Sequence, residues 1–272
     1  MRTHGLKFDV NCSILFTELP LLARPAAARS AGFDAVEFWW PFAEPVPADR
    51  DVDAFTGALN DAGVRLVLLN FAAGDMAAGD RGLVSDPARS TEFRDSIDVC
   101  TGIAARTGCR VLNALYGNAS GAGSAGGRPG QHELAIENLL LAAGSAAAAG
   151  ATVVIEPLNS AENPRYPLDS SHAAIEVIDA VRARGAPNTG LLADLYHLAM
   201  MGEDLVTVLE SPYVSHIQIA DVPGRGAPGT GTVDFEAVFS QLAVQCYPGY
   251  VGCEYRHNDT GTTTANFAWR QG

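Results

Sequence analysis

The sequence is short of positive charge: 18 Lys and Arg stand against 31 Asp and Glu, a formal net charge of −13. DNA or an anionic membrane surface is repelled on average by such a chain, and no run of Lys or Arg supplies a local exception. Nucleic acid and membrane are therefore not expected partners. A small anionic substrate would have to be held against this field by a local Arg or a metal ion. The cysteines lack pattern as well. Cys12, Cys100, Cys109, Cys246 and Cys253 are odd in number, with no CxxC and no paired Cys/His spacing. Several lie in apolar runs, where a free thiol behaves as a small buried hydrophobe. A reducing, cytoplasmic setting fits this usage. The N-terminus MRTHGLKFDVNCSILF has no basic stretch followed by an apolar core, so no signal peptide is expected. One stretch, Leu139 to Ile155, carries no charge over nearly a membrane span. Gly144, Ser145 and Gly150 interrupt it, and its Ala-rich middle gives way to the β-branched TVVI. It reads as the end of a helix feeding a buried strand. Finally, no GxGxxG follows the first apolar run, which argues against dinucleotide binding.

What is present is an apolar fraction of 47% over 272 residues, enough for a large core in a single domain spanning 1–272. Eight short runs rich in Val, Ile, Leu and Phe lie at 8–14, 35–39, 64–70, 109–116, 152–158, 189–194, 214–220 and 250–255. Several show little alternation, as suits parallel strands buried on both faces. Between them fall segments of helical period near 19–31, 51–62, 88–107, 131–149, 170–184, 198–210, 234–245 and 262–270. Asp51, Asp86-Pro87 and Ser170 or Ser171 read as cap signals. Ala31-Gly32, Ala62-Gly63 and Thr107-Gly108 read as helix ends where Gly supplies a left-handed cap. Strict alternation of this kind implies an α/β fold, a closed (β/α)₈ TIM barrel, over a doubly wound sheet. Two long segments follow strand ends. Residues 71–87 are expected to serve the barrel mouth. The Gly-rich 117–130 reads equally as a lid or as a plain surface loop.

The chemistry is expected where strands end in groups that are costly to bury. Glu156 ends the fifth run, Asp194 ends the sixth, Gln218 lies in the seventh and Glu254 in the eighth. Neighbouring strands of a barrel bring these ends to one face, and three carboxylates there repel each other unless a cation or shared protons compensate. Three carboxylates plus an amide oxygen form a hard, all-oxygen set suited to Mg²⁺ or Mn²⁺. Each alone would more often be an ion-pair partner or a cap, but four on consecutive strands favour a metal site. His197, three residues beyond Asp194 in DLYH, reads as a substrate hydrogen-bond donor or proton relay, with a helix-capping histidine as the bland alternative. Glu37 ends the second run and is expected at the mouth. His216 points inward as a ligand or as packing, and Glu162 is a weaker candidate. Trp39, Trp40 and Phe42 suit a pocket wall or the core. Arg225, the only basic residue of PGRGAPGTGTVDF, can grip a carboxylate bidentately, with Arg81 and Arg256 as alternatives. Asn70, which ends the third run, is placed with the substrate-binding candidates.

From about residue 7 to the C-terminus the chain resembles the hydroxypyruvate isomerase family, within the xylose-isomerase-like barrels. The stretches that carry the resemblance are FDVNCSILF, ARSAGFDAVEFWWPF, LNFAAGDMAAGDRG, EFRDSI, IEPLN, DLYH, HIQIAD, RGAPGTG and GYVGCEYR. The resemblance implies Glu156 and Glu254 as the acid/base pair. It also implies Glu156, Asp194, Gln218 and Glu254 as ligands of a divalent metal. The substrate implied is a small hydroxy-keto acid, hydroxypyruvate, interconverted with tartronate semialdehyde through an enediol. Ala72 and Met76 depart from the family's Pro and Trp, and Arg256-His257 replaces a Lys-Pro pair. These changes touch the rim and therefore substrate choice. The rival readings are a 2-dehydrotetronate isomerase, a ketose 3-epimerase (disfavoured because Gln218 replaces that group's metal-binding His), an apurinic-site endonuclease (disfavoured by six His and the acidic charge) and a non-catalytic sugar-acid binding protein. A homo-oligomer is compatible with the sequence, which does not specify one.

Overall fold

The computed structural model of the protein describes residues 1–119, 130–256 and 263–271. Eight strands, β1 (Lys7–Asn11), β2 (Ala35–Phe38), β3 (Arg65–Asn70), β4 (Val111–Asn113), β5 (Thr152–Ile155), β6 (Thr189–Asp194), β7 (Val214–Ile219) and β8 (Tyr250–Cys253), pair in chain order, and β8 closes on β1. Every pairing is parallel, the closing one included, as in Asp9 opposite Gly252. Helices α1 (Arg24–Ser30), α2 (Asp49–Ala62), α3 (Ser90–Thr107), α4 (Gln131–Ala148) and α5 (Ser171–Ala183) connect successive strands, followed by α6 (Leu195–Met200), α7 (Leu205–Leu209) and α8 (Phe235–Val244). This is the (β/α)₈ barrel that the alternation implies. Among the described residues no helix is long and apolar enough to cross a membrane.

Several boundaries differ from those read off the sequence, for local reasons. The first strand stops at Asn11, whose carbonyl accepts from the Leu15 amide at 3.0 Å and whose side chain accepts from Ser13 N at 2.9 Å, turning the chain. The fourth strand is only three residues long, because Tyr116 leaves the barrel to bridge antiparallel to Gly82 in the 71–87 segment. The sixth helical segment is broken in two at Gly202 (φ 75°), and Asp204 caps the new start by accepting from Val206 N. Asp51 lies inside the first turn of α2 instead of capping it, where its charge still faces the helix N-terminus. Asp86 closes a turn ahead of α3. Ser170 does cap α5, and Gly32, Gly63 and Gly108 take the left-handed conformation. The C-terminal segment Thr263–Gln271 is a 3₁₀ helix, with Phe267 against Phe33 and Trp269 against Phe8.

The main core lies between barrel and helices. A smaller, separate cluster of Leu68, Val154 and Leu192 comes from β3, β5 and β6 and fills one side of the barrel interior. On the other side β1, β2 and β7 contribute Asp9, Glu37, His216 and Gln218, all buried. Gly252 on β8 permits this, since a Cβ there would collide with the Glu37 carboxylate. The interior is thus apolar on one side and polar on the other, and the polar side leads up to the mouth.

Candidate active site

A cavity of about 680 Å³ opens at the C-terminal ends of the strands. Glu156, Glu254, His197, Arg225, Arg81 and Asn70 all line it. Asp194 and Gln218 sit buried behind the wall. Glu37 lies deeper: it is fully buried beneath the cavity, where it accepts hydrogen bonds from Gln218 Nε2 (2.6 Å) and Asn11 Nδ2 (3.5 Å) and contacts His216 Nε2.

Arg225 organises the carboxylates. One guanidinium nitrogen donates to Glu254 Oε2 at 2.5 Å and to Asp194 Oδ2 at 3.1 Å. Its loop is built around Asp221, whose oxygens accept from the backbone amides of Gly229, Gly231 and Val233 at 2.8–3.0 Å. Gly231 is needed there because a side chain would strike Val222 O and Asp221 itself. Arg225 takes a left-handed φ of 57°, a conformation that disfavours non-glycine residues and persists only where the surroundings enforce it.

Glu254 Oε1 accepts from Asn11 Nδ2 at 2.9 Å and from Trp39 Nε1 at 2.7 Å. Burial pushes Glu254 upward from the usual carboxylate range and Arg225 opposes it. These three side chains are all donors, which the ionised form accepts. Glu156 differs. Burial, then repulsion from Asp194, raise its pKa to about 8, against the opposing donation of Asn113 Nδ2 at 2.7 Å. Two buried carboxyls thus line one cavity, Glu254 with three side-chain donors and Glu156 with Asn113 as its donor.

His197 lies within α6, whose start is capped by Asp194 accepting from Tyr196 N. The backbone N–H of Asn159 donates to His197 Nδ1 at 3.1 Å, and burial lowers the pKa of the imidazole to about 4. A neutral ring with an acceptor at Nδ1 carries its proton on Nε2. That nitrogen lies 3.4 Å from Arg225 Nη1 and 3.5 Å from Asp194 Oδ2. His197 therefore presents a donor to the site.

A cation fits this donor set. Ligand atoms of Glu156, Asp194 and His197 lie within 4.8 Å of one another. Gln218 Oε1 is buried without a hydrogen-bond partner. Asp194 and Glu254 already share one positive group in Arg225. Because Asn159 holds the His197 proton on Nε2, the oxygens of Glu156, Asp194, Gln218 and Glu254 are the groups that could hold a cation.

The 71–87 segment contributes Met76, Ala77 and Arg81 to the cavity. Arg81 donates to Asn163 Oδ1 at 2.5 Å and to the Met76 carbonyl at 3.0 Å. Arg89 fastens the segment through Asp80 and through Glu92 (2.7 Å). Most of the Gly-rich 117–130 segment, residues 120–129, lies outside the described residues. Trp39 reaches the cavity, while Trp40 and Phe42 pack together beside it. The residues that sequence reasoning missed are asparagines: Asn11, Asn113 and Asn159. A signal for the first two existed, since Asn11, Asn70 and Asn113 are the last residues of β1, β3 and β4.

The family model for xylose isomerase-like TIM barrels matches residues 25–272. A putative hydroxypyruvate isomerase of Streptomyces coelicolor is 50% identical over 269 residues, covering 97% of this chain and 95% of the relative. The hydroxypyruvate isomerase of Escherichia coli K12 is 34% identical, with 97% and 98% covered, and a 2-oxo-tetronate isomerase of Pectobacterium atrosepticum is 31% identical, with 97% of each covered. Among solved structures, a protein described as an AP endonuclease of family 2 from Brucella melitensis superposes with a TM-score of 0.85 at 36% identity, covering 97% of both chains. The chain belongs to the xylose isomerase-like TIM-barrel family. Within it, the chain is a member of the hydroxypyruvate isomerase group.

Proposed function

We propose that this isomerase, which acts on a sugar acid, interconverts hydroxypyruvate and tartronate semialdehyde through an enediol. The observation that carries the reading is that Glu156 and Glu254 line one cavity, with Arg225 bridging Glu254 and Asp194. Glu156, Asp194, Gln218 and Glu254 would hold a divalent cation, Mg²⁺ or Mn²⁺, which when bound supplies Lewis-acid stabilisation of negative charge on the substrate oxygens. Arg225 Nη1, the terminal nitrogen not taken by Asp194 or Glu254, donates to the substrate carboxylate. Glu254 in its ionised form, to which Asn11, Trp39 and Arg225 all donate, removes a proton from C3 of hydroxypyruvate. His197 Nε2–H donates to the enediolate oxygen that develops. Glu156 relays the hydroxyl proton from O3 to O2, and Glu254 returns its proton to C2. Acid–base groups of this kind contribute roughly 10²–10⁴-fold.

Relatives named 2-oxo-tetronate isomerase, 31% and 33% identical with 97% of this chain covered, favour a four-carbon 2-oxo acid, 2-oxo-tetronate, as the second reading. Proton NMR in heavy water with each acid, with and without Mg²⁺ or Mn²⁺, tests both. Deuterium at C2 of tartronate semialdehyde supports the first reading. Turnover of the four-carbon acid alone supports the second, and conversion of neither acid overturns both. Full activity after exhaustive chelation would remove the cation from the reaction.

A further inference from the structure

Beneath the mouth, and separate from it, Asp9 of β1, Glu37 of β2 and His216 of β7 converge inside the barrel. Ligand atoms of the three lie within 4.8 Å of one another. All three are buried, and Asp9 and Glu37 have no solvent exposure at all. Both oxygens of Asp9 lack a hydrogen-bond partner, although the side chain points into this cluster. A carboxylate without a donor is among the costliest groups to bury, so something must compensate it.

Among the described residues no Lys or Arg pairs with Asp9. Arg225 is committed to Asp194 and Glu254 at the mouth. Asn11 and Gln218 each give a side-chain N–H to Glu37, not to Asp9. Asp221, another fully buried acid, shows how this fold settles a carboxylate when it uses its own atoms: backbone amides meet both oxygens. Asp9 has no such cradle. His216, 3% exposed, also lines a second cavity of about 430 Å³ at the N-terminal end of the barrel, beside Tyr247 and Tyr250.

The geometry points to a second divalent-cation site inside the barrel, ligated by Asp9, Glu37 and His216 and distinct from the four-oxygen set at the mouth. Two carboxylate oxygens and one imidazole nitrogen form a mixed donor set, which selects Mn²⁺ or Zn²⁺ over the oxygen-seeking Mg²⁺. The site acts on the reaction only indirectly. Glu37 holds Gln218 and Asn11, and Asn11 holds Glu254, so a cation on Glu37 stiffens the floor of the active site. The alternative occupant is a proton: burial, then Glu37, hold the Asp9 pKa well above the carboxylate range, so without a cation Asp9 is a neutral acid.

Metal stoichiometry separates the two, independently of any activity. Full-length protein is stripped, equilibrated with Mn²⁺ and counted by equilibrium dialysis, alongside Asp9→Asn and Asp194→Asn. The expected result is about two Mn²⁺ per wild-type chain and about one in each variant, the two variants losing different sites. One Mn²⁺ in wild type and one in Asp9→Asn overturns the proposal while leaving the mouth site standing. Should Asp9→Asn fail to fold, anomalous diffraction from Mn²⁺-loaded wild-type crystals decides. A peak among Asp9, Glu37 and His216 supports the site, and its absence beside an occupied mouth overturns it.

Discussion

The backbone amide of Asn159 and the Nδ1 atom of His197 are hydrogen-bonded at 3.1 Å, which fixes which ring nitrogen carries the proton. With its pKa lowered to about 4 by burial, His197 stays neutral and Nε2-protonated throughout the working range. Nitrogen-15 NMR of labelled protein should show this single tautomer unchanged from about pH 5 to 9. A doubly protonated ring at pH 6 would contradict it. His197→Phe, which cannot donate, should lower kcat/KM roughly 10- to 100-fold, the loss expected for a hydrogen bond to a charged oxygen.

Glu254→Gln keeps the size of the side chain and an oxygen for Asn11 and Trp39, but removes the base. Turnover should fall by about 10²-fold or more, with the circular dichroism spectrum unchanged. Near-normal isomerisation by a folded variant would remove Glu254 from the proton transfer.

Arg225→Lys preserves the charge between Asp194 and Glu254 but not the planar fork. Its KM for the substrate acid should rise about tenfold, with a smaller change in kcat. Arg225→Met leaves two buried carboxylates facing each other and should cost about 3–5 kcal/mol of stability, measured by denaturant unfolding. A Lys variant with unchanged KM would show that the substrate carboxylate binds elsewhere.

Glu156 links protonation to stability. Its folded pKa, raised to about 8, lies above the ordinary value of 4.5, so the folded state holds a proton that the unfolded chain releases. The associated stabilisation is complete below pH 4.5 and is lost as pH rises toward about 8, where it levels off. In metal-stripped protein, Glu156→Gln should flatten that fall in unfolding free energy. An identical pH profile in variant and wild type would show that Glu156 does not carry the proton.

The barrel is legible because its strands are buried on both faces, so each reads as an apolar run and each gap as a helix. The carboxylates are legible for the complementary reason: Glu156, Asp194 and Glu254 are charges placed where an apolar run should give way to loop. The asparagines are harder to see. Asn11, Asn70 and Asn113 end strands, and asparagine at a strand end is also ordinary turn chemistry. Only the coordinates separate Asn113, which donates to Glu156, from a turn former. Glu37 shows the limit from the other side. Its sequence position matches that of a mouth residue, but its depth depends on the tilt and stagger of neighbouring strands, which no single run encodes. Nor does composition reveal that Asp221 shapes the loop bearing Arg225, since that role consists of backbone amides converging on one side chain.

The bare α-carbon of Gly252 has a reach beyond its own strand. It stands opposite Asp9 on one side and Gln218 on the other, and the Glu37 carboxylate occupies the space its methyl group would fill. Alanine there would push that acid off His216 and Gln218 and, through Asn11, unsettle Glu254 two positions along the same strand line. A residue with no side chain thereby governs how the Glu254 carboxyl above it is aimed.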